Sequence, residues 1–276
     1  MPIITLTSDF GQKDHTVAAV KGALLCELED ANIVDISHDI SPFNYTEAAY
    51  IIKNAYHNFP KKSIHIIGVD SELTPENKHL AIYLDGHFFI CADNGILSLI
   101  SSEIKPDKIV EINIHNKFKN TSKFLDVFIS VAAHICRGGD LDVIGKTIQE
   151  MHTLTHVKPI INPLQDQIIG HIIYIDNFGN VISNISQKLF KTIAKGRDAT
   201  ISARSTIFKN IYTGYSDAIN FDLPKQNREM DGKKIALFNS SGFLELAIYK
   251  SNPSSVGSAS SLFGIKYLDT ITIKFQ

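Results

Sequence analysis

The chain has 276 residues, room for one large domain or two ordinary ones. Hydrophobic residues make up 44% and charged residues 20%, which supplies the apolar material for a real core. A net charge of −2 removes any general electrostatic case for binding nucleic acid or an anionic membrane.

The apolar runs are much shorter than a bilayer span, so no membrane association is expected. Met1-Pro2 leads straight into a strand-like run, without the charged and apolar regions of a signal peptide. Cys26, Cys91 and Cys136 lie in or near apolar runs and show no paired spacing. They read as reduced core thiols of a cytoplasmic protein.

Ile3-Ile4-Thr5-Leu6-Thr7 reads as a buried strand that ends in Ser8-Asp9-Phe10-Gly11. A helix is predicted from about His15 to Leu28, with Val17, Val20, Leu24 and Leu28 on one face. Ligands of open α/β sheets sit where a strand gives way to a helix. Asp9 stands there, either to accept hydrogen bonds from a vicinal diol or, with Ser8, to cap the helix. No glycine-rich phosphate loop follows, which suits a nucleoside better than a polyphosphate.

Asn32 to Ser37 reads as the second strand. Ala48, Ile51, Ile52, Ala55 and Phe59 mark a helix stopped by Pro60. Ser63 to Val69 suits a central strand, and Asp70 to Lys78 is a polar loop. His79–Leu84 and His87–Ala92 flank Asp85-Gly86, a strong hairpin signal. Asp93-Asn94-Gly95 is a turn that opens a helix, and Phe124, Phe128, Val131, Ala132 and Ile135 form a further helical face ending near Gly138-Gly139. Strands alternating with helices predict an N-terminal layered α/β domain over 1–150 with a mostly parallel sheet. Residues 151–166 carry Pro159 and Pro163 and read as a linker.

From 167 to 276 the pattern changes to short strands separated by turns, which predicts a smaller β-barrel-like domain. Strands are expected at Ile168–Ile175, Val181–Ile185, Ala199–Tyr212, Lys234–Phe238, Phe243–Tyr249 and Thr270–Phe275. Gln187–Lys195 alone looks helical, and the Ser-rich Ser251–Ser261 reads as a loop.

Asp70 ends a strand as Asp9 does, so two carboxylates at one sheet edge could recognise a polar or cationic ligand or orient a water. Asp70 could equally close a turn with Ser71. Asp176-Asn177-Phe178-Gly179-Asn180 fits an ordinary hairpin, or an amide and a ring presented to a flat heterocycle. Asn239-Ser240-Ser241-Gly242 is a similar turn, whose hydroxyls and backbone N–H groups could hold a carboxylate. The histidines show no metal spacing. His38-Asp39 would join a base to its orienter, but neighbours on a strand face opposite ways.

Taken in order, these motifs resemble the S-adenosylmethionine hydroxide adenosyltransferases, relatives of fluorinase and chlorinase. The resemblance rests on Thr7-Ser8-Asp9-Phe10-Gly11 with Lys13-Asp14, Val34-Asp35-Ile36-Ser37-His38, Gly68-Val69-Asp70 and Asp93-Asn94-Gly95. It continues through Ile175-Asp176-Asn177-Phe178-Gly179-Asn180 and Asn239-Ser240-Ser241-Gly242-Phe243-Leu244-Glu245. It implies attack of water or hydroxide on C5′ of S-adenosylmethionine, giving adenosine and L-methionine without a cofactor or metal. It also implies a homotrimer with the nucleoside held between neighbouring subunits. By motif position Asp9 would hold the ribose hydroxyls, Asn180 and Phe178 the adenine, and Tyr215 the stacking position. Asp14, Asp176 and Ser240 would face the methionine end, and Phe43, Asn94 and Glu245 complete the implied binding set.

The hydrolytic members carry an Asp–Arg–His set for the attacking water. Asp70 matches the Asp. The Arg position falls at Asn77 or Lys78, either of which lacks the planar guanidinium fork. The His lies in a Thr-Phe-His-Gly-Arg-Asp-like motif, and here Thr121-Ser122-Lys123-Phe124-Leu125-Asp126 puts Lys123 in its place. The implied catalytic set is therefore Asp70, Asn77 and Lys123, an altered one. The alternative is a protein that binds the adenosyl group without turnover.

Overall fold

The computed structural model describes residues 2–118, 125–230 and 232–276. The chain forms two compact units, 1–156 and 157–276. No helix among the described residues is long and apolar enough to cross a membrane.

The first unit runs β1 (Ile3–Ser8), α1 (Thr16–Glu27), β2 (Asn32–Ser37), α2 (Tyr45–Tyr56), β3 (Ile64–Gly68), β4 (His79–Leu84), β5 (His87–Ala92), α3 (Ile96–Ile100), β6 (Lys108–Ile112), α4 (Asp126–Cys136) and β7 (Gly145–Thr147). Its sheet has the order β2-β1-β3-β5-β4-β6-β7. The pairings β2–β1, β1–β3 and β3–β5 are parallel. Beyond β5 the ladder turns antiparallel. The cause is the Asp85-Gly86 turn, where both residues have positive φ (47° and 77°), the geometry of a tight hairpin. It folds β4 back against β5, and β6 and β7 extend that antiparallel half.

Side chains alternate between two apolar layers, as strand geometry requires. Ile64, Ile66 and Ile90 pack with Val20 and Leu24 of α1 and Phe128 and Val131 of α4. Ile67, Leu80, Ile82 and Phe89 pack with Ile52 of α2 and Leu97 of α3. A sheet buried on both faces explains the near-continuous apolar runs of its central strands. Helix α2 stops at Tyr56 rather than reaching Phe59. There the N–H groups of Asn58 and Phe59 bond to the carbonyls three residues back, tightening the chain before Pro60.

Strand β6 has its apolar run broken by Glu111 and β7 has only three residues, so neither is singled out by its pattern. Their pairing depends on a close backbone approach, because a Cβ at Gly145 would lie 2.0 Å from the Glu111 carbonyl oxygen. Gly145→Ala is expected to destabilise the protein by about 1–3 kcal/mol, as overpacking against backbone does. A urea midpoint equal to that of the parent would contradict this.

The second unit runs β8 (Ile160–Ile161), β9 (Gln167–Ile175), β10 (Val181–Ser186), α5 (Gln187–Ala194), β11 (Ala199–Ala203), β12 (Thr206–Phe208), β13 (Lys234–Phe238), β14 (Phe243–Ile248), α6 (Ala259–Phe263) and β15 (Thr270–Phe275). The antiparallel order is β12-β11-β15-β9-β10-β14-β13, with β8 beside β9. Tyr212 N–H bonds to the Ala236 carbonyl, so the chain leaving β12 lies along β13 and the sheet is nearly closed like a barrel. Two expectations are corrected. Ala199–Tyr212 is not one strand but the hairpin β11–β12, because Arg204 turns the chain with φ +49° and anchors to Asp269 (Nε–Oδ2 2.8 Å). The Ser-rich stretch ends in helix α6, because Ser258 and Ser261 form a capping box.

Candidate active site

Strand register places the first pair of carboxylates. Ser8 of β1 lies opposite Gly68 of its parallel neighbour β3, so Asp9 and Asp70 leave the sheet at one edge. Neither Ser8 nor Asp9 caps α1, whose N-cap is His15. Asp9 Oδ2 instead accepts the Phe43 backbone N–H (3.0 Å) from the loop before α2. Phe43 has φ +59° and an exposed ring.

Asp70 has φ +42°, a left-handed conformation that is uncommon without glycine. Its surroundings hold it there. Asn77 Nδ2 donates to the Asp70 carbonyl (2.8 Å) and to that of Glu72 (3.1 Å). Buried Asn94 donates to the Val69 carbonyl (2.9 Å). Tyr45 Oη donates to Asp70 Oδ2 (2.5 Å), leaving Oδ1 for another partner. That bond, with burial and the nearby Asp9 charge, pushes the Tyr45 phenol up to about 12, so it stays a donor at neutral pH. Among the described residues neither Asp9 nor Asp70 forms an ion pair. Two unpaired carboxylates at a sheet edge suit hydroxyl donors or a cation.

Of the two residues at the Arg position, Asn77 reaches the Asp70 backbone, whereas Lys78 Nζ pairs with Glu111 (2.9 Å). Asp14 is exposed on the loop before α1. Lys123 lies outside the described residues.

The other candidates gather in the second unit. Asp176 opens the β9–β10 turn, and its carboxylate accepts from Phe178 N (2.9 Å), Asn180 N (2.8 Å) and Asn180 Nδ2 (3.0 Å). The hairpin thus places three bonds on this carboxylate, two on Oδ1 and one on Oδ2, buries Asn180 and leaves the Phe178 ring exposed. Register puts Glu245 of β14 opposite Ile182 of β10, near this turn. Tyr215 Oη donates to Glu245 Oε1 (2.6 Å). Burial, with the Asp176 charge adding to it, pushes the Glu245 carboxyl up despite the bonds from Tyr215 and Asn239. Asn239 Oδ1 accepts from Ser241 N and Phe243 N, closing the turn on which Ser240 is exposed.

Sequence reasoning missed three features. Tyr45 had no signal beyond following the cap residue Asn44. His79 Nε2 bonds to the Ser71 carbonyl (3.0 Å), and His115 Nε2 meets His79 Nδ1 (3.0 Å), buttressing the loop after Asp70. His38 faces Asp35 and Ser8 rather than Asp39, a pairing that the i, i+3 spacing of Asp35 and His38 could have suggested. Among the described residues no group of three or more His, Cys, Asp or Glu could hold a metal ion.

Comparison with known proteins follows the same division. The N-terminal domain model of the SAM hydroxide adenosyltransferases matches residues 4–145, and the C-terminal domain model matches residues 170–272. A protein named (R)-S-adenosyl-L-methionine hydrolase from Methanocaldococcus jannaschii is 32% identical, over 99% of this chain and 96% of its own. A fluorinase from Actinopolyspora mzabensis is 22% identical over 89% and 90% of the two chains. The crystal structure of an uncharacterized conserved protein from Thermotoga maritima superposes with a TM-score of 0.82 at 26% identity, covering 99% of this chain and all of that one. With both domain models matched in order and a relative of this similarity along nearly its whole length, the chain belongs to the SAM hydroxide adenosyltransferase family.

Proposed function

We propose that this protein cleaves S-adenosylmethionine by attack of water or hydroxide at C5′, giving adenosine and L-methionine, with an altered water-handling set. The oxygen bonds to C5′ as the C5′–S bond breaks. The sulfur takes the bonding pair and leaves as the neutral thioether of methionine. An attacking water loses one proton, by way of the Asp70 carboxylate, to bulk solvent, whereas a hydroxide releases none. The leaving group is good, so the protein's task is to align oxygen, carbon and sulfur and to strip water from the nucleophile. The observation that carries the reading is Asp70, with its backbone pinned by Asn77 and its Oδ2 held by Tyr45. Oδ1 then orients the attacking water, and Asp9 at the same edge takes the ribose hydroxyls.

In this reading Asn180, Phe178 and Tyr215 contact the adenine, while Asp14, Asp176 and Ser240 face the methionine end. The protein works as a homotrimer in the cytoplasm, with each nucleoside held by two neighbouring protomers and no cofactor. A monomer that binds adenosine at full strength would contradict the trimer.

A second reading, an adenosyl-binding protein without turnover, draws on Lys78, whose amine is engaged with Glu111. No planar fork then stands at Asp70. Incubation of the purified protein with S-adenosylmethionine, with and without chloride, separates the two. Slow release of equal adenosine and methionine is expected. Binding without products favours the second reading, and 5′-chloroadenosine would point to halide transfer.

Asp9→Asn is expected to weaken adenosine binding, since a hydrogen bond to a charged acceptor contributes about 1.5–3 kcal/mol. Calorimetry with 2′,3′-dideoxyadenosine as control tests this. If parent and variant prefer adenosine over the control equally, Asp9 is not the ribose anchor.

A further inference from the structure

Behind Asp9 lies a chain of polar groups, buried at Ser8 and His38, that the proposed chemistry does not use. Ser8 and His38 are both buried, and Ser8 Oγ is 2.7 Å from His38 Nδ1. His38 Nε2 is also buried, and Asp35 Oδ1 faces it at 3.1 Å, at an angle short of hydrogen-bond alignment. Asp35 Oδ2 takes Lys21 Nζ of α1 at 2.5 Å. On the other side, Ser8 Oγ accepts the Phe10 N–H (3.4 Å), and the His38 carbonyl accepts the Gly11 N–H (2.8 Å). His38 therefore grips the Asp9 turn from both ends, by its side chain at Ser8 and by its backbone at Gly11.

For a neutral imidazole the donors and acceptors fit one direction. With Asp35 facing Nε2, that nitrogen carries the proton and Nδ1 is the acceptor. Ser8 then spends its hydroxyl proton on Nδ1 and has lone pairs left for Phe10 N–H. Burial opposes the Asp35 charge, but the bond from Lys21 and the close approach of His38 outweigh it and hold the carboxyl below its usual range.

We propose that His38, oriented by Asp35 and Lys21, is a positioning residue that fixes the Ser8–Gly11 turn and so aims the Asp9 carboxylate at the ribose diol. The inference rests on the reading of Asp9 as the ribose anchor. It assigns a role to three side chains on β2, α1 and the loop after β2, none of which touches the ligand.

The test is calorimetry with adenosine and 2′,3′-dideoxyadenosine on the full chain. Glutamine at 38 places its amide near the Nε2 position and loses the Ser8 bond, whereas asparagine places its amide near Nδ1 and keeps it. His38→Gln is expected to weaken adenosine by about tenfold, the worth of one oriented hydrogen bond, and to leave dideoxyadenosine unchanged. His38→Asn should restore most of that loss. In an Asp9→Asn background His38→Gln should add nothing, because the group it aims is already disabled. Equal loss for both nucleosides, or a full additional loss in the Asp9→Asn background, would overturn the proposal.

Nitrogen-15 NMR of the ligand-free protein judges the relay apart from any ligand. The Nε2-protonated tautomer of His38 is expected, and the Nδ1-protonated form overturns the proposal. A parent protein that shows this tautomer yet binds neither nucleoside overturns the proposed function and the ribose role of the turn with it. A parent that prefers adenosine while showing the other tautomer overturns only the relay.

Discussion

Asp70→Ala is expected to lower the rate of S-adenosylmethionine cleavage by about 10²–10⁴-fold, the usual contribution of a positioned acid–base group. Affinity for the substrate should change far less. A residue that orients the attacking water contributes mainly in the transition state, so its loss appears in kcat and kcat/KM together. The fold should survive, because Asp70 is held through its backbone by Asn77, and its neighbour Val69 is held by Asn94. Alanine at φ +42° nevertheless carries some strain. Asp70→Asn keeps the size of the side chain and serves as the control. Lys123→His is the companion variant. It restores the side chain that the family resemblance implies at this position and should raise turnover in the parent background. Brisk cleavage that survives Asp70→Ala unchanged would move the chemistry to other residues. A Lys123→His protein that binds S-adenosylmethionine but is no faster would favour the binding reading.

Stability should fall steeply as the solution is acidified from pH 6.5 to 5. His65 sits inside the sheet, bonded to Thr5 Oγ1 (2.7 Å) and His87 Nδ1 (3.1 Å). Burial, with the neighbouring His87, pulls it down to about 3. His79 is held down to about 4, mainly by burial and also by His115, although its bond to the Ser71 carbonyl pulls the other way. In the unfolded chain both histidines titrate near 6.5, so below that pH the unfolded state binds protons that the fold refuses. The stabilisation is complete above about pH 6.5 and is lost as pH falls toward the folded values. Each histidine contributes a slope that rises toward about 1.4 kcal/mol per pH unit as pH nears 5. Carboxylates titrate mostly below it, so the histidines dominate. Urea unfolding followed by circular dichroism at several pH values checks the slope, and His65→Gln should reduce it by about one proton. A stability that stays flat from pH 6.5 to 5 would refute the account.

Much of this molecule was legible in the chain itself. Where a strand was buried on both faces, its apolar run marked it, as at Ser63–Val69. Where a turn demanded positive φ, Asp85-Gly86 announced it. Asp9 and Asp70 stood out because each follows a strand directly, and a parallel pair brings such residues to one edge. Relations of side chains across the sheet were not legible. Tyr45 reaches Asp70 over 25 residues and Ser8 reaches His38 over 30. Those contacts exist only because the strand order is β2-β1-β3, and no local pattern encodes that order. The same holds for Asn77 on the Asp70 carbonyl, for Tyr215 on Glu245 and for the antiparallel half of the first sheet. Local propensity acts within a few residues, so sequence by itself determined most of the strands, several turns and the carboxylates at their ends. Which groups face one another was decided by long-range packing of both sheet faces, and only the tertiary structure carries that.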